Sequence, residues 1–225
     1  MASEAVAGED GGRELNTAAV IGAGTMGRQI AALIAGSGRP VRIWDADPAM
    51  LAAARERIAV ETRTLPDLPR YAHHQFRLEP PTDLEALLTR IVVAESLADA
   101  VAGADIVIEA VREDLDTKLP LFAELSGLAP DAILTTNSSS LPSSQIAPAV
   151  EDPGRFLNTH FFAPVWSRPM VELMGNGATR PEVMEAVERF GKSLGLVLVR
   201  PGCHGRRRSG GAGQLLRSVA AGVHR

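Results

Sequence analysis

The chain holds a single cysteine, Cys203, which excludes an internal disulfide, a disulfide-stapled scaffold and a cysteine-rich zinc module. Aromatic residues are scarce at 4%, leaving little from which to build the stacked platforms that grip single-stranded nucleic acid. No apolar run reaches the ~18 residues that a bilayer requires, so no membrane partner is expected. Residues 1–12 carry acids and glycines where a secretory signal needs a basic patch and an apolar stretch, so a cytoplasmic location is the default. Neither sign of charge dominates. With 23 basic and 27 acidic side chains the net charge is −4, which argues against a surface built for polyanions such as nucleic acid. What remains is a chain of 225 residues, 45% hydrophobic and 22% charged. It is long enough to bury the core of one domain and part of another.

The periodicity alternates between two kinds of element. Residues 1–15 are rich in Gly, Ala and Glu without periodicity and read as a mobile leader. Residues 17–21 form a short apolar run ending at glycine, as expected of a strand covered on both faces. Met26, Ile30, Leu33 and Ile34 then fall on one helical face. A strand is expected at 41–44, and Asp47-Pro48 supplies an N-cap and a first helical residue for a helix to about 64. Residues 65–82, proline-rich and polar, suggest an irregular excursion before a short helix at 83–90. Strands at 91–93, 105–109 and 132–136 then alternate with helices at 97–104 and 116–128. Two more strands, at 155–161 and 170–174, are joined by a proline-containing loop, and a helix at 181–194 leads to a last strand at 197–200. The pattern predicts a doubly wound α/β domain over residues 16–200, a Rossmann fold with a mostly parallel sheet and helices on both faces.

Gly22-Ala23-Gly24-Thr25-Met26-Gly27 lies between the first strand and the first helix. In such a turn Gly22 permits the tight bend, Gly24 lets backbone approach a pyrophosphate, and Gly27 lets the helix pack closely on the strand. The helix that opens at Thr25 and Met26 offers free N–H groups and the positive end of its dipole to phosphate. Asp45 ends the second strand 18 residues after Gly27, where an acid hydrogen-bonds the adenosine ribose 2′-hydroxyl. Ala46 follows it, rather than an arginine suited to a 2′-phosphate, so the expected cofactor is NAD rather than NADP.

Candidates for chemistry lie further on. His160 ends one predicted strand and Glu172 lies in the next. If those strands are neighbours, the carboxylate would fix the imidazole tautomer and leave the other nitrogen as a base for a hydroxyl proton. The alternative is a strand-end histidine and an unrelated acid. Asn137-Ser138-Ser139-Ser140 follows the strand at 132–136, either facing the ligand crevice or capping the next turn. Glu109 and Glu113, with Lys118, flank another strand end, where a solvated helix start is the plainer reading. His73 and His74 have no acid or cysteine at ligand spacing, and no metal is expected.

With these residues in place, the chain over about 16–202 resembles the L-3-hydroxyacyl-CoA dehydrogenase family, including 3-hydroxybutyryl-CoA dehydrogenases. The likeness rests on VIGAGTMG at 20–27, IEAVRED at 108–114, TTNSSSL at 135–141, THFFAP at 159–164 and MVEL at 170–173. It implies that His160 is the general base, that Glu172 orients it, and that Ser139 binds substrate beside the nicotinamide. It also implies that Glu113 and Lys118 line the cofactor cleft, with Asn137 alongside. The activity implied is NAD-dependent oxidation of an L-3-hydroxyacyl-CoA to the 3-keto compound in fatty-acid metabolism. Two departures bear on the substrate. The family's H-F-F-N-P reads Ala163 at the asparagine, and Trp166-Ser167-Arg168 replaces an apolar stretch. A dehydrogenase of non-CoA 3-hydroxy acids, such as carnitine or gulonate, and a non-catalytic NAD-binding module are the rival readings.

The third departure is at the end of the chain. Residues 201–225 hold five arginines, six glycines and no acid, where the family continues into a helical domain that closes the cleft and makes most of the dimer contact. This basic tail is expected to come from a shifted reading frame or an altered gene end, with activity impaired and the family dimer weakened or lost. A basic tail for anionic surfaces is the alternative.

Overall fold

The computed structural model describes residues 13–63 and 83–201. The expected excursion at 65–82, His73, His74, Cys203 and nearly all of the basic tail lie outside the described residues. Eight strands form one sheet in the order β3-β2-β1-β4-β5-β6-β7-β8. They are β1 (Ala18–Ile21), β2 (Val41–Trp44), β3 (Ile91–Val93), β4 (Ile106–Glu109), β5 (Ile133–Thr136), β6 (Phe156–Phe161), β7 (Met170–Gly175) and β8 (Val197–Val199). Every neighbouring pair is parallel except β6 and β7.

The continuous apolar character of the strands follows from burial on both faces. Successive side chains of a strand point to opposite sides. Ala18 and Val20 of β1 therefore join one core with Ile106, Ile108, Ile133 and Leu157, while Ala19 and Ile21 join the other with Val107, Leu134 and Phe156. The first core is closed by α1 (Thr25–Gly36), α2 (Pro48–Arg63), α3 (Leu84–Thr89) and α7 (Pro181–Ser193). The second is closed by α4 (Leu97–Val101), α5 (Leu115–Leu128) and α6 (Ser143–Ile146). The amphipathic stripe on α1 is present as expected, with Ile30, Leu33 and Ile34 buried. At α2 the predicted cap is in place: Asp47 Oδ1 accepts from Ala49 N–H at 2.9 Å.

The differences are local. Leu15, assigned to the leader, is buried in the first core, because an isolated apolar side chain beside a strand start finds a place there. α4 stops at Val101 rather than 104, since Gly103 turns the chain with φ +65° before β4. The short helix α6 was not anticipated. For the site, the decisive feature is the strand order. The chain leaves β1 toward β2 on one side and resumes at β4 on the other, so a crevice opens at the carboxyl edge between them.

Candidate active site

The turn after β1 is shaped by its glycines in different ways. Gly22 has φ +109°, and a Cβ there would stand 2.6 Å from the Ala110 carbonyl oxygen of the strand-end loop. At Gly27 a Cβ would fall 1.7 Å from the Gly22 carbonyl, so α1 packs against its own entry turn only because the side chain is absent. At Gly24 a Cβ would meet nothing within 4 Å. That face is open, and α1 begins there with no side-chain cap. A bare twelve-residue helix N-terminus above an open glycine fits a phosphate group.

Two side chains fix this turn. Asp45 Oδ2 accepts from Ala23 N–H at 2.7 Å and its Oδ1 accepts from Asp47 N–H at 2.9 Å. Arg28, unassigned from the sequence, is 6% exposed; its Nη1 donates to the Ala23 carbonyl at 2.8 Å while Nε and Nη2 donate to Glu61. The Ala23 peptide is thus held from both sides. Asp45 lies at the end of β2, where the ribose-binding acid was expected.

On the other side of the crevice, antiparallel pairing sets His160 of β6 directly opposite Glu172 of β7. His160 Nδ1 lies 3.2 Å from Glu172 Oε2. A carboxylate only accepts, so Nδ1 carries the proton and Nε2 of the neutral ring is left with a free lone pair. The two side chains are 14% and 12% exposed, open enough for a small reactant and shielded enough for the bond to hold.

Between these parts lies the loop after β5. Ser138 Oγ, Ser140 N–H (2.8 Å), Ser140 Oγ (3.0 Å) and Leu141 N–H (3.2 Å) all donate to Glu113 Oε1. Burial would raise the Glu113 carboxyl, but these donors and the Lys118 ammonium outweigh it and hold it at about 2. Asn158 Nδ2 donates to the Ser138 carbonyl at 2.8 Å, and the buried Asn158 Oδ1 has no partner among the described residues. Asn137 Oδ1 accepts from Phe161 N–H at 2.8 Å. Ser139, by contrast, is exposed in the middle of this clamped segment.

Lys118 is placed differently from the cleft lining expected of it. Its side chain is 1% exposed, with Nζ donating to Glu109 Oε1 at 2.5 Å and standing 3.9 Å from Glu113 Oε2. Glu109, fully buried, also accepts from Thr136 Oγ1 at 2.6 Å and Val111 N–H at 2.7 Å. Burial pushes the Glu109 carboxyl up, and the Lys118 ammonium and these donors oppose it. Glu109, Thr136, Ser138, Asn158 and Arg28 are the participants that were not assigned from the sequence. Glu109 had left a trace there, as a strand-end acid near Lys118, and so had Ser138, within the Asn137-Ser138-Ser139-Ser140 run. Among the described residues no group of three potential ligands stands ready for a metal ion.

Fold and site together define a dinucleotide-binding α/β domain with a histidine–carboxylate pair at the same carboxyl edge of the sheet as the cradle. Residues 17–202 match the family model described as 3-hydroxyacyl-CoA dehydrogenase, NAD binding domain, and the chain belongs to that family. It is 36% identical over 185 residues to the 3-hydroxybutyryl-CoA dehydrogenase of Mycobacterium tuberculosis, covering 80% of this chain and 61% of the relative. A probable 3-hydroxybutyryl-CoA dehydrogenase of Bacillus subtilis is 35% identical, with 80% and 61% covered. Among solved structures, a diketoreductase superposes with TM-score 0.80 at 30% identity, over 93% of this chain and 72% of that one. The (S)-3-hydroxybutyryl-CoA dehydrogenase of Ralstonia eutropha gives 0.73 at 29%, over 83% and 63%. The chain thus spans about three fifths of the length of these curated relatives. Among the described residues no helix is long and apolar enough to cross a membrane.

Proposed function

We propose that the chain binds NAD along the carboxyl edge of its sheet and carries the apparatus for oxidising an L-3-hydroxyacyl thioester to its 3-keto form, as in fatty-acid metabolism. The observation that carries this reading is the His160–Glu172 pair, in register and 3.2 Å apart, at the same sheet edge as the glycine cradle. NAD, when bound, supplies the acceptor for the hydride that leaves C3. His160 Nε2 takes the proton of the 3-hydroxyl, and Glu172 steadies the imidazolium that forms. Ser139 presents its hydroxyl to the substrate from a segment that Glu113 and Asn158 hold still, so little orientation entropy is lost at the moment of reaction. Gly22, Gly24, Thr25, Met26 and Gly27 receive the phosphates and Asp45 the ribose. Lys118 acts from below, tying Glu113 to Glu109.

A second reading is favoured by the loop after His160. Ala163 replaces the family's asparagine, and Arg168 is exposed where an apolar residue is usual. A dehydrogenase of a small anionic 3-hydroxy acid would have use for that cation. A panel of 3-hydroxyacyl-CoA thioesters and free 3-hydroxy acids, followed by nicotinamide absorbance, separates the two. His160→Gln is expected to abolish turnover while NAD affinity stays within about twofold. A chain that binds NAD and turns over nothing in the panel is a binding module, and the catalytic reading falls.

A further inference from the structure

The loop that joins the two strands of the histidine–carboxylate pair is tied to the helix of the phosphate cradle. Residues 162–169 leave β6 just after His160 and return as β7. Val165 donates its N–H to Gln29 Oε1 at 3.0 Å. Gln29 lies in the second turn of α1, the helix that opens at the glycine turn. A backbone N–H only donates, so the atom of the Gln29 amide that faces it must be the oxygen. The bond joins elements that the sheet keeps well apart. β4 and β5 stand between β1 and β6, a span of about 14 Å at ordinary strand spacing.

The tip of this loop has no other polar anchor of that reach among the described residues. The Pro164 carbonyl accepts from Ser167 N–H (3.2 Å) and Arg168 N–H (3.0 Å), and the Arg168 carbonyl from Met170 N–H at 2.7 Å, all of them local. At the root, the Pro169 carbonyl accepts from Val197 N–H of β8 at 2.7 Å. Val165 and Trp166 are buried in the first core, which fixes the depth of the tip but not its register along α1. Without an acceptor at position 29 the Val165 N–H would be buried and unpaired, a cost that favours displacing the tip toward water.

A dinucleotide bridges the same gap. With its ribose at Asp45, after β2, and its phosphates over the turn after β1, its second half runs across β4 and β5 toward His160. We propose that Gln29 is a positioning residue: its bond to Val165 sets the loop beyond His160 against the cradle helix, so that the slot for the nicotinamide ring has its width before the ring arrives. This rests on the reading of the crevice as an NAD site. Because coupling is reciprocal, a ring seated in the slot holds the loop in place by the same factor as the placed loop favours the ring.

Calorimetry on the 225-residue chain compares NADH with ADP-ribose, which keeps the phosphates and sugars and lacks the ring. The ratio of the two affinities cancels any effect confined to the cradle. Gln29→Met removes the acceptor and should lower that ratio about fivefold, the size of one hydrogen bond. Gln29→Glu keeps an acceptor and should leave the ratio within about twofold. A second readout needs no variant. At saturation NADH should slow solvent exchange of the Val165 amide in the unaltered chain about fivefold, and ADP-ribose less than about twofold. A ratio unmoved by Gln29→Met, or lowered as much by Gln29→Glu, overturns the proposal. So does a Val165 amide that responds to both ligands alike or to neither. If Gln29→Met does not fold, the exchange measurement decides alone. A chain that binds neither NADH nor ADP-ribose removes the NAD reading itself, and this inference with it.

Discussion

At the carboxyl edge of the sheet Lys118 is buried against Glu109, with Glu113 just beyond it. At the amino edge, before β6, Arg155 is 5% exposed and bonded only to neutral oxygens. Its Nη1 donates to the carbonyls of Ala129 (2.8 Å) and Ala132 (2.7 Å), and Nη2 to the carbonyl and hydroxyl of Ser126 (both 3.0 Å). Ser126 and Ala129 lie at the end of α5, so the guanidinium caps carbonyls that the helix leaves unpaired and meets the negative end of its dipole. Burial draws the Arg155 pKa down, while Asp152, Glu151 and Asp131 nearby oppose that shift. Of the three cations buried among the described residues, Arg28 included, these two serve different ends. One closes a helix with neutral partners; the other links two carboxylates, the outer of which grips the serine loop.

Removing the Lys118 ammonium should have the largest effect. Lys118→Met leaves Glu109 buried without its counter-charge, and breaking a buried pair from one side costs about 3–5 kcal/mol. The loss should depend on pH. Burial already pushes Glu109 upward, and without the ammonium its folded-state value lies further above the unfolded one. The stability of the variant is then retained at low pH, where Glu109 is neutral, and lost as pH rises through that folded-state value. Urea unfolding at pH 5 and pH 8 checks this: the deficit should be smaller at pH 5. Adding Glu109→Gln should recover part of it.

Arg155→Met sharpens the contrast. It removes charge-assisted bonds to the carbonyls of Ser126, Ala129 and Ala132, of which Ala129 still accepts from Ala132 N–H at 3.2 Å, for a loss of about 2–3 kcal/mol. No carboxylate is left buried, and guanidinium is charged throughout this range. The deficit in urea should therefore be the same at pH 5 and pH 8. A deficit that shrinks at pH 5, as for Lys118→Met, would mean that the nearby acids matter more than the carbonyls and would dissolve the distinction between the two edges.

The sequence made one half of the site legible and hid the other, for a physical reason. Glycines at fixed offsets, an acid at a strand end and a histidine in a β-period segment are local patterns. The architecture and the cradle with Asp45 could be read from them, and His160 and Glu172 could be named as a conditional pair. What the sequence left open was whether β6 and β7 are neighbours; their antiparallel register settles that. Lys118 was invisible as a buried group because its position is fixed by how the first turns of α5 cross the end of β4, which no periodicity encodes. Arg28 is a charge on a helix face that reads as solvated until Glu61, on another helix, is seen beside it. The hydrogen bond of Asn158 depends on the path of a loop after a neighbouring strand. Groups that act through other residues leave weaker traces than groups that meet the ligand.

The outer carboxylate gives the smallest effect and the one that connects the buried pair to the serine loop. Glu113 is held at about 2 in the folded chain, below the ~4.3 of an unperturbed glutamate. A group depressed in this way contributes stability that is complete above its unfolded value and is lost as pH falls toward its folded value. With its side chain 32% exposed, solvent screening limits that contribution to about 1 kcal/mol. Glu113→Gln should therefore be about 1 kcal/mol less stable than the unaltered chain at pH 7, and the gap should narrow as pH falls from about 4.5 toward 3. The four loop donors all share Oε1, which in the amide carries no charge, and an amide that keeps its oxygen there turns its NH2 toward the Lys118 ammonium. The N–H groups of Ser140 and Leu141 should consequently exchange with solvent faster in the variant at pH 7, while those of β4 keep their protection. If the loop amides are unchanged although the pH-dependent gap appears, the carboxylate serves only the buried pair, and the segment carrying Ser139 is held by Asn137 and Asn158 alone.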